Sequence, residues 1–309
     1  MAIQNPREVY GRTLVELGRE NRDVVVLEAD LGKSTMSCYF EQAFPERFFE
    51  MGIAEANMTS FAAGLALTGK IPFTNSFAVF AAGRAFDQIR QGICIPGLNV
   101  RIVGSSCGLS DFGDGSTHQS VEDVAIMRAI PNMTVLVPAD GNETRSMTRA
   151  LVEYQGPAYM RITRNDVPDV MPVDEPFVAG TPYLIRQGSD AVVFAHGQLV
   201  SLALEAAGIL SDAGISTRVV NVSSMKPVDM AALAALADGM KGVVSAEEHS
   251  LIGGLASLIR EALQGRAVPM RAIGIDDRFG QSAHRYEDLL QAYGLTPAHI
   301  AAAVRQAAK

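Results

Sequence analysis

Twice along this chain, short runs of β-branched residues alternate with longer alanine- and leucine-rich stretches of helical period. The first series runs VVVLEAD (24–30), a helical stretch after Glu55, RIVGSS (101–106), a helical stretch from about Val121, and TVLVPAD (134–140). The second runs AVVFAHG (191–197), TRVVNVSS (217–224), GVVSAEEH (242–249) and MRAIGIDD (270–277), with helical stretches between and a helical tail after. Such alternation predicts strands in parallel sheets covered by helices. Two α/β units are therefore expected, each an open parallel-type sheet flanked by helices, the C-terminal one mixed. Between the series lies VPDVMPVDEPFVAGTP (167–182), rich in proline and without apolar periodicity, which reads as a surface linker. The units are then 1–166 and 183–309. A length of 309 residues with 48% hydrophobic content is enough for two cores.

In open parallel sheets ligands sit beyond the carboxyl ends of the strands. The polar segments that follow the strands are thus the candidates: Asp30 to Ser34, the long loop Ser105 to His118, and Arg164 after the strand in 158–163. Net charge is −8 with a pI near 5.2, and no lysine or arginine stripe is present, so nucleic acid is not an expected partner. No apolar run reaches the roughly 18 residues of a membrane span, and MAIQNPREVYGR lacks a signal peptide's apolar core, so a cytoplasmic location is expected. Cys38, Cys94 and Cys107 are odd in number, widely spaced and without C-x-x-C, which points to reduced thiols.

Several features have a purely structural reading. Glu55 in ERFFEMGIAEANMTSFAAGLAL (46–67) suits the first turn of a helix, where unpaired N–H groups attract a carboxylate. Phe77 and Phe80, three apart, suit the inner face of a helix. Asp30 reads equally as a helix N-cap. His118 reads as a solvent-facing loop residue, and Arg7, Ser34 and Arg164 as surface charges or a turn serine. GLALTGK (64–70) only imitates a P-loop: Ile71 stands where a hydroxyl is needed, and the segment ends a helix instead of starting one.

Taken together, MGIAEANM (51–58), TNSFAVFAAGRAFDQIR (74–90), GDGSTHQSVEDVAIMRAIPNMTVLVPADGNE (113–143) and FGQSA (279–283) resemble the carboxyl-terminal part of transketolases. The likeness covers nearly the whole chain in the family's order: a pyrimidine-binding domain followed by a transketolase C-terminal domain. A full transketolase begins with a further domain that binds the diphosphate and Mg²⁺. The resemblance therefore implies one subunit of a split transketolase, inactive alone, with a separate diphosphate-binding partner chain in an α₂β₂ heterotetramer. Phe112-Gly-Asp-Gly115 with Asn142 imitates the GDG…N signature that holds Mg²⁺ in thiamine-diphosphate enzymes. It lies deep in a loop instead of at a strand end, and reads as coincidental.

The resemblance also implies roles. Glu55 would hydrogen-bond N1′ of the cofactor's aminopyrimidine, favouring the imino form that deprotonates the thiazolium, with Met51, Ile53, Ala54 and Met58 shielding it from water. Phe77 and Phe80 would stack on the aminopyrimidine, while Asp30 and Leu31 would lie near the thiazolium. His118 and Asp114 would contact the donor's oxygens. Arg7, Ser34, Arg164 and Ser106 would form the phosphate site, which departs from the family at Ser106-Cys107, where several transketolases have a histidine. His196, His249, His284 and His299 would be structural or at the surface. Three rivals stay open: a 1-deoxyxylulose-5-phosphate synthase-like enzyme, a 2-oxoacid dehydrogenase E1 β subunit, and a non-catalytic assembly or regulatory subunit.

Overall fold

Asn5 starts the first helix, Pro6–Glu20, by accepting a hydrogen bond from the Arg7 amide, with proline following at the first helical position. The structure, a computed structural model, describes residues 2–309. Its strands in chain order are β1 (Ile3–Gln4), β2 (Val24–Glu28), β3 (Phe48–Glu50), β4 (Ile71–Phe77), β5 (Arg101–Ser105), β6 (Thr134–Leu136), β7 (Ala158–Arg161), β8 (Val167–Pro168), β9 (Tyr183–Arg186), β10 (Ala191–Ala195), β11 (Thr217–Asn221), β12 (Ser224–Lys226), β13 (Gly242–Ser250) and β14 (Met270–Ile275).

The first sheet has seven strands in the order β12-β6-β7-β5-β4-β2-β3, and the second has five in the order β14-β13-β10-β11-β9. Strands β2, β5 and β10 are buried on both faces, which is why they read as continuous apolar runs. In the second sheet β9 alone runs antiparallel, on β11, so that sheet is mixed. The α/β class is as the alternation predicts. One strand crosses between the units: β12 leaves the end of β11 and pairs antiparallel with β6, closing an edge of the first sheet. The run 217–224 is thus two strands in two different sheets.

The segment 167–182 is tied down at its start. β8 pairs antiparallel with β1, and the Asp140 carboxylate accepts from the Val170 and Met171 amides. Apolar packing also ignores the seam. One core joins Met58, Ile89 and Val135 to Phe194, Val220 and Leu258, and another joins Leu109 and Met171 to Val193 and Ile300. Among the described residues, no helix is long and apolar enough to cross a membrane. The three cysteines are unpaired, and burial pushes the thiols of Cys94 and Cys107 up to about 11 and about 12.

Candidate functional site

Parallel pairing of β3, β2, β4, β5 and β7 brings their carboxyl ends to one edge. The chain turns there into each candidate segment. Two non-glycine residues at these turns have left-handed backbones, Asp30 with φ 60° after β2 and Ser106 with φ 54° after β5. Such conformations cost of order 1–3 kcal/mol and collect at functional sites.

Glu55 opens the helix Glu55–Leu67 and is only 3% exposed. Its Oε1 accepts from Arg84 Nη1 at 2.8 Å, and among the described residues no hydrogen bond takes Oε2. Met58 is buried beside it, whereas Ile53 is 72% exposed. The expectation that Ile53 shields Glu55 is therefore corrected: the turn at Gly52, with φ 67°, sends Ile53 outward.

Phe77 is the last residue of β4 and is buried; Phe80 lies one turn on, in the helix Ala78–Gly83, and is partly open. The two are not a helix-face pair, because Phe77 has extended backbone (φ −69°, ψ 149°). Their rings are 6.1 Å apart between centroids and 16° from parallel. His118 stands edge-on to both, 6.2 Å from Phe77 and 5.3 Å from Phe80. The Arg84 guanidinium lies 4.0 Å above the Phe80 ring, within cation–π range. Glu55, Arg84, Phe80, Phe77 and His118 therefore form one continuous cluster: a buried carboxylate, an aromatic pair and a partly exposed imidazole.

His118 and Asp114 come from the loop 106–118, in which Gly115–Thr117 is a single tight turn. Asp114 is exposed, and His118 Nδ1 meets Thr117 Oγ1 at 2.9 Å. Asn142 is occupied elsewhere: its Oδ1 accepts from Gln4, and its Nδ2 donates to the Met171 carbonyl. It shares nothing with Asp114 that would hold a metal.

The basic residues gather in a second place. A cleft of about 470 Å³ is lined by Arg7, Arg164, Phe112, Asp166, His284 and Arg285. Arg7 is nearly buried; its Nη1 donates to the Ser34 carbonyl at 2.7 Å, and its Nε has no partner among the described residues. Burial and the neighbouring Arg164 both lower its pKa. Arg164 is paired with Asp111 at 3.0 Å. Burial raises the Asp111 carboxyl, and Arg164 offsets that in part. Ser106 is fully buried with an unpartnered hydroxyl.

Asp30 caps no helix. The following short helix Gly32–Thr35 has Leu31 at its N-cap, and Asp30's amide donates to Glu50 instead. Beneath that turn, Glu28 is buried, accepts from Thr35, Ser37 and the Ala29 amide, and is pushed up by burial to about 7. His196 and His249 are buried and His299 is partly so, bonded to Thr296. His284, from the C-terminal half, lines the arginine cleft.

Residues 4–170 match the family described as transketolase, pyrimidine binding domain, and residues 180–300 match transketolase, C-terminal domain. The chain belongs to the transketolase family. A Methanocaldococcus jannaschii protein named as a transketolase C-terminal section is 42% identical over 98% of this chain and 96% of its own. A 6-deoxy-6-sulfo-D-fructose transketolase subunit of a Clostridium species is 39% identical over 97% of this chain and 93% of its own. A solved structure described as a split-gene transketolase, an inactive β4 tetramer, superimposes with a TM-score of 0.89 at 46% identity, covering 98% of this chain and 97% of that one. The family relationship thus extends over both halves. Within it, Arg84, Gln119 and Glu28 are site neighbours that the sequence reading missed. Gln119, inside GDGSTHQ, and Arg84, inside TNSFAVFAAGRAFDQIR, lie in motifs that could have drawn attention to them, whereas Glu28 sits in an apolar strand run.

Proposed function

We propose that this chain is the C-terminal subunit of a two-chain transketolase that uses thiamine diphosphate to move a two-carbon ketol unit from a ketose phosphate to an aldose acceptor. It would act only with a subunit that binds the diphosphate and Mg²⁺, in an α₂β₂ assembly. The observation that carries this reading is the buried Glu55 carboxylate, with one oxygen free, beside a partly open aromatic pair and His118.

These residues fit the pyrimidine end of the cofactor. The Phe80 ring is partly open for a flat ring to pack on, Phe77 backs it, and Glu55 Oε2 has no protein partner. Bound thiamine diphosphate supplies a nucleophilic carbon and an electron sink for breaking the bond next to a ketone. Glu55, held on one oxygen by Arg84, would hydrogen-bond the pyrimidine's ring nitrogen through the other. Asp30 and Leu31, at the strained turn after β2, line the neighbouring wall. His118 hydrogen-bonds the donor's oxygens, and Asp114 at the loop's surface meets a substrate hydroxyl.

Arg7 and Arg164, with the Ser34 segment, hold the phosphate, for which arginine's forked donors are suited. The unpartnered Arg7 Nε supports this, since a buried donor without an acceptor is costly. Ser106, buried beside Cys107 with an unpartnered hydroxyl, is the further polar group assigned to this site. Remote binding of the phosphate then orients the carbonyl for reaction.

The test combines this chain with a separately encoded diphosphate-binding subunit, thiamine diphosphate, Mg²⁺ and a ketose phosphate. Transfer is expected in the mixture and in neither chain alone. Glu55→Ala should lower turnover by about 100-fold or more, with partner binding unchanged. Transfer by this chain alone, or full activity in Glu55→Ala, overturns the proposal.

A further inference from the structure

We infer that the C-terminal half positions His118, by clamping its loop through Gln119, which sits on Gly280. This rests on the role of His118 proposed above. Gln119 is buried, and its Nε2 donates to three carbonyls: Leu109 at 3.3 Å, Asp111 at 3.2 Å and Gln281 at 3.0 Å. The first two lie in the loop and the third in the FGQSA segment of the C-terminal half. One side chain therefore ties the loop to itself and to the opposite half.

Two further bonds cross the same seam. The Ala283 amide donates to the Phe112 carbonyl at 2.8 Å, and Glu248 Oε1 accepts from the Leu109 amide at 2.7 Å. The fit depends on missing side chains. A Cβ on Gly280 would stand 1.8 Å from Gln119 Oε1, and one on Gly115 2.9 Å from the Ser282 nitrogen. Both contacts are shorter than real Cβ atoms show, so Gly115 packs on the Ser282 backbone, and the buried Gln119 side chain would have to move to admit a Cβ at position 280.

A loop holding three glycines, at 108, 113 and 115, has much backbone freedom to lose on folding. Within the first unit, the Gly108 amide bonded to Ser120, the Gly115 amide bonded to Asp111 and the Asp111–Arg164 pair offset part of that. The clamp across the seam adds to these and fixes Gln119, the residue next to His118. A catalytic group displaced by about 1 Å can lose about 100-fold in rate. The second unit of the chain is thus part of the catalytic apparatus as a positioning element.

The experiment uses the assembled two-subunit enzyme and Gly280→Ala, Gln119→Ala, the double variant, and Gly208→Ala as a control, since a Cβ at Gly208 meets nothing within 4 Å. Gly280→Ala and Gln119→Ala should each lower kcat by about 10- to 100-fold, and the double variant should fall no further, because both break one contact. In a His118→Ala background, Gly280→Ala should change kcat by less than about twofold. Hydrogen exchange on the isolated full chain should show faster exchange at Leu109, Gly115 and Gln119 in Gly280→Ala, with Gly208→Ala like the parent. Unchanged exchange in both Gly280→Ala and Gln119→Ala overturns the clamp, whatever the activity. Faster exchange with kcat unchanged overturns its role in positioning His118. If the parent mixture transfers no ketol unit, the functional reading fails instead, and exchange still decides the clamp.

Discussion

Glu55 and Arg84 form a pair of unequal exposure, the carboxylate buried and the guanidinium half open. Their contributions should separate on mutation. Arg84→Ala leaves a buried carboxylate without its cation in the free chain, and should lower stability by about 1 kcal/mol, a figure already discounted for the solvent around the guanidinium. In the assembled enzyme it should keep turnover within about tenfold of the parent, because Arg84 touches Glu55 without replacing its proton. Denaturant titration and the transfer assay read the two effects. A turnover loss as deep as that of Glu55→Ala would place Arg84 in the chemistry. Glu55, Phe77 and His118 were legible because each sits in a contiguous motif. Arg84 shares the motif of Phe77, but its pairing with Glu55 was not legible, since that link spans 29 residues and depends on the turn after β4. Phe77 was misread locally as a helix residue, because Asn75 and Ser76 interrupt the apolar run that would have marked a strand. Asn75 is tolerated in β4 because Tyr10 donates to it and its amide donates to the Leu27 carbonyl.

At the scale of elements, Arg101 does for β5 what Asn75 does for β4. Its side chain is fully buried, and it donates to the Leu151 carbonyl at 2.6 Å, to Gly156 at 2.5 Å and to Tyr154. These carbonyls end the helix Gly141–Glu153 and begin the turn into β7. Arg101→Met keeps much of the volume and strands the three acceptors, so unfolding free energy should fall by about 3 kcal/mol or more. Urea unfolding with an unchanged slope would support this, whereas a loss below about 0.5 kcal/mol would mean that water satisfies the carbonyls. The alternation of runs revealed most strands and the fold class because apolar periodicity is a local property. It did not reveal β12, since which sheet a three-residue strand joins is decided by tertiary pairing.

Across the whole molecule, burial pushes Glu28, Glu143 and Glu248 up to about 7 from an ordinary 4.5. A raised acid binds its proton more readily folded than unfolded, so its stabilising effect is complete below 4.5 and is lost as pH rises through about 7. Burial lowers His196 to about 3 and also lowers His249, which opposes the trend below their ordinary 6.5. Stability of the isolated chain should therefore rise on going from about pH 8 to about pH 6.5, by on the order of 1 kcal/mol. Thermal midpoints at the two pH values check this, and a midpoint that falls toward pH 6.5 contradicts it. Glu143 and Glu248 lie on the seam, where Glu143 accepts from Asn221 and Glu248 from Leu109, so the trend should weaken if either is replaced by glutamine.

The crossing of β12 sets a limit on how such proteins can be recombined. A chimera joined within 167–182, taking its second half from a relative, would bring a foreign outer strand to the native β6. Lys226, which ends that strand, donates to the Arg128 and Ile130 carbonyls, so the graft must also match the end of the helix Asp123–Ala129. The workable units of exchange are therefore not the two halves that the chain's linear order suggests. A productive swap would move β12 together with its receiving edge, or leave both behind.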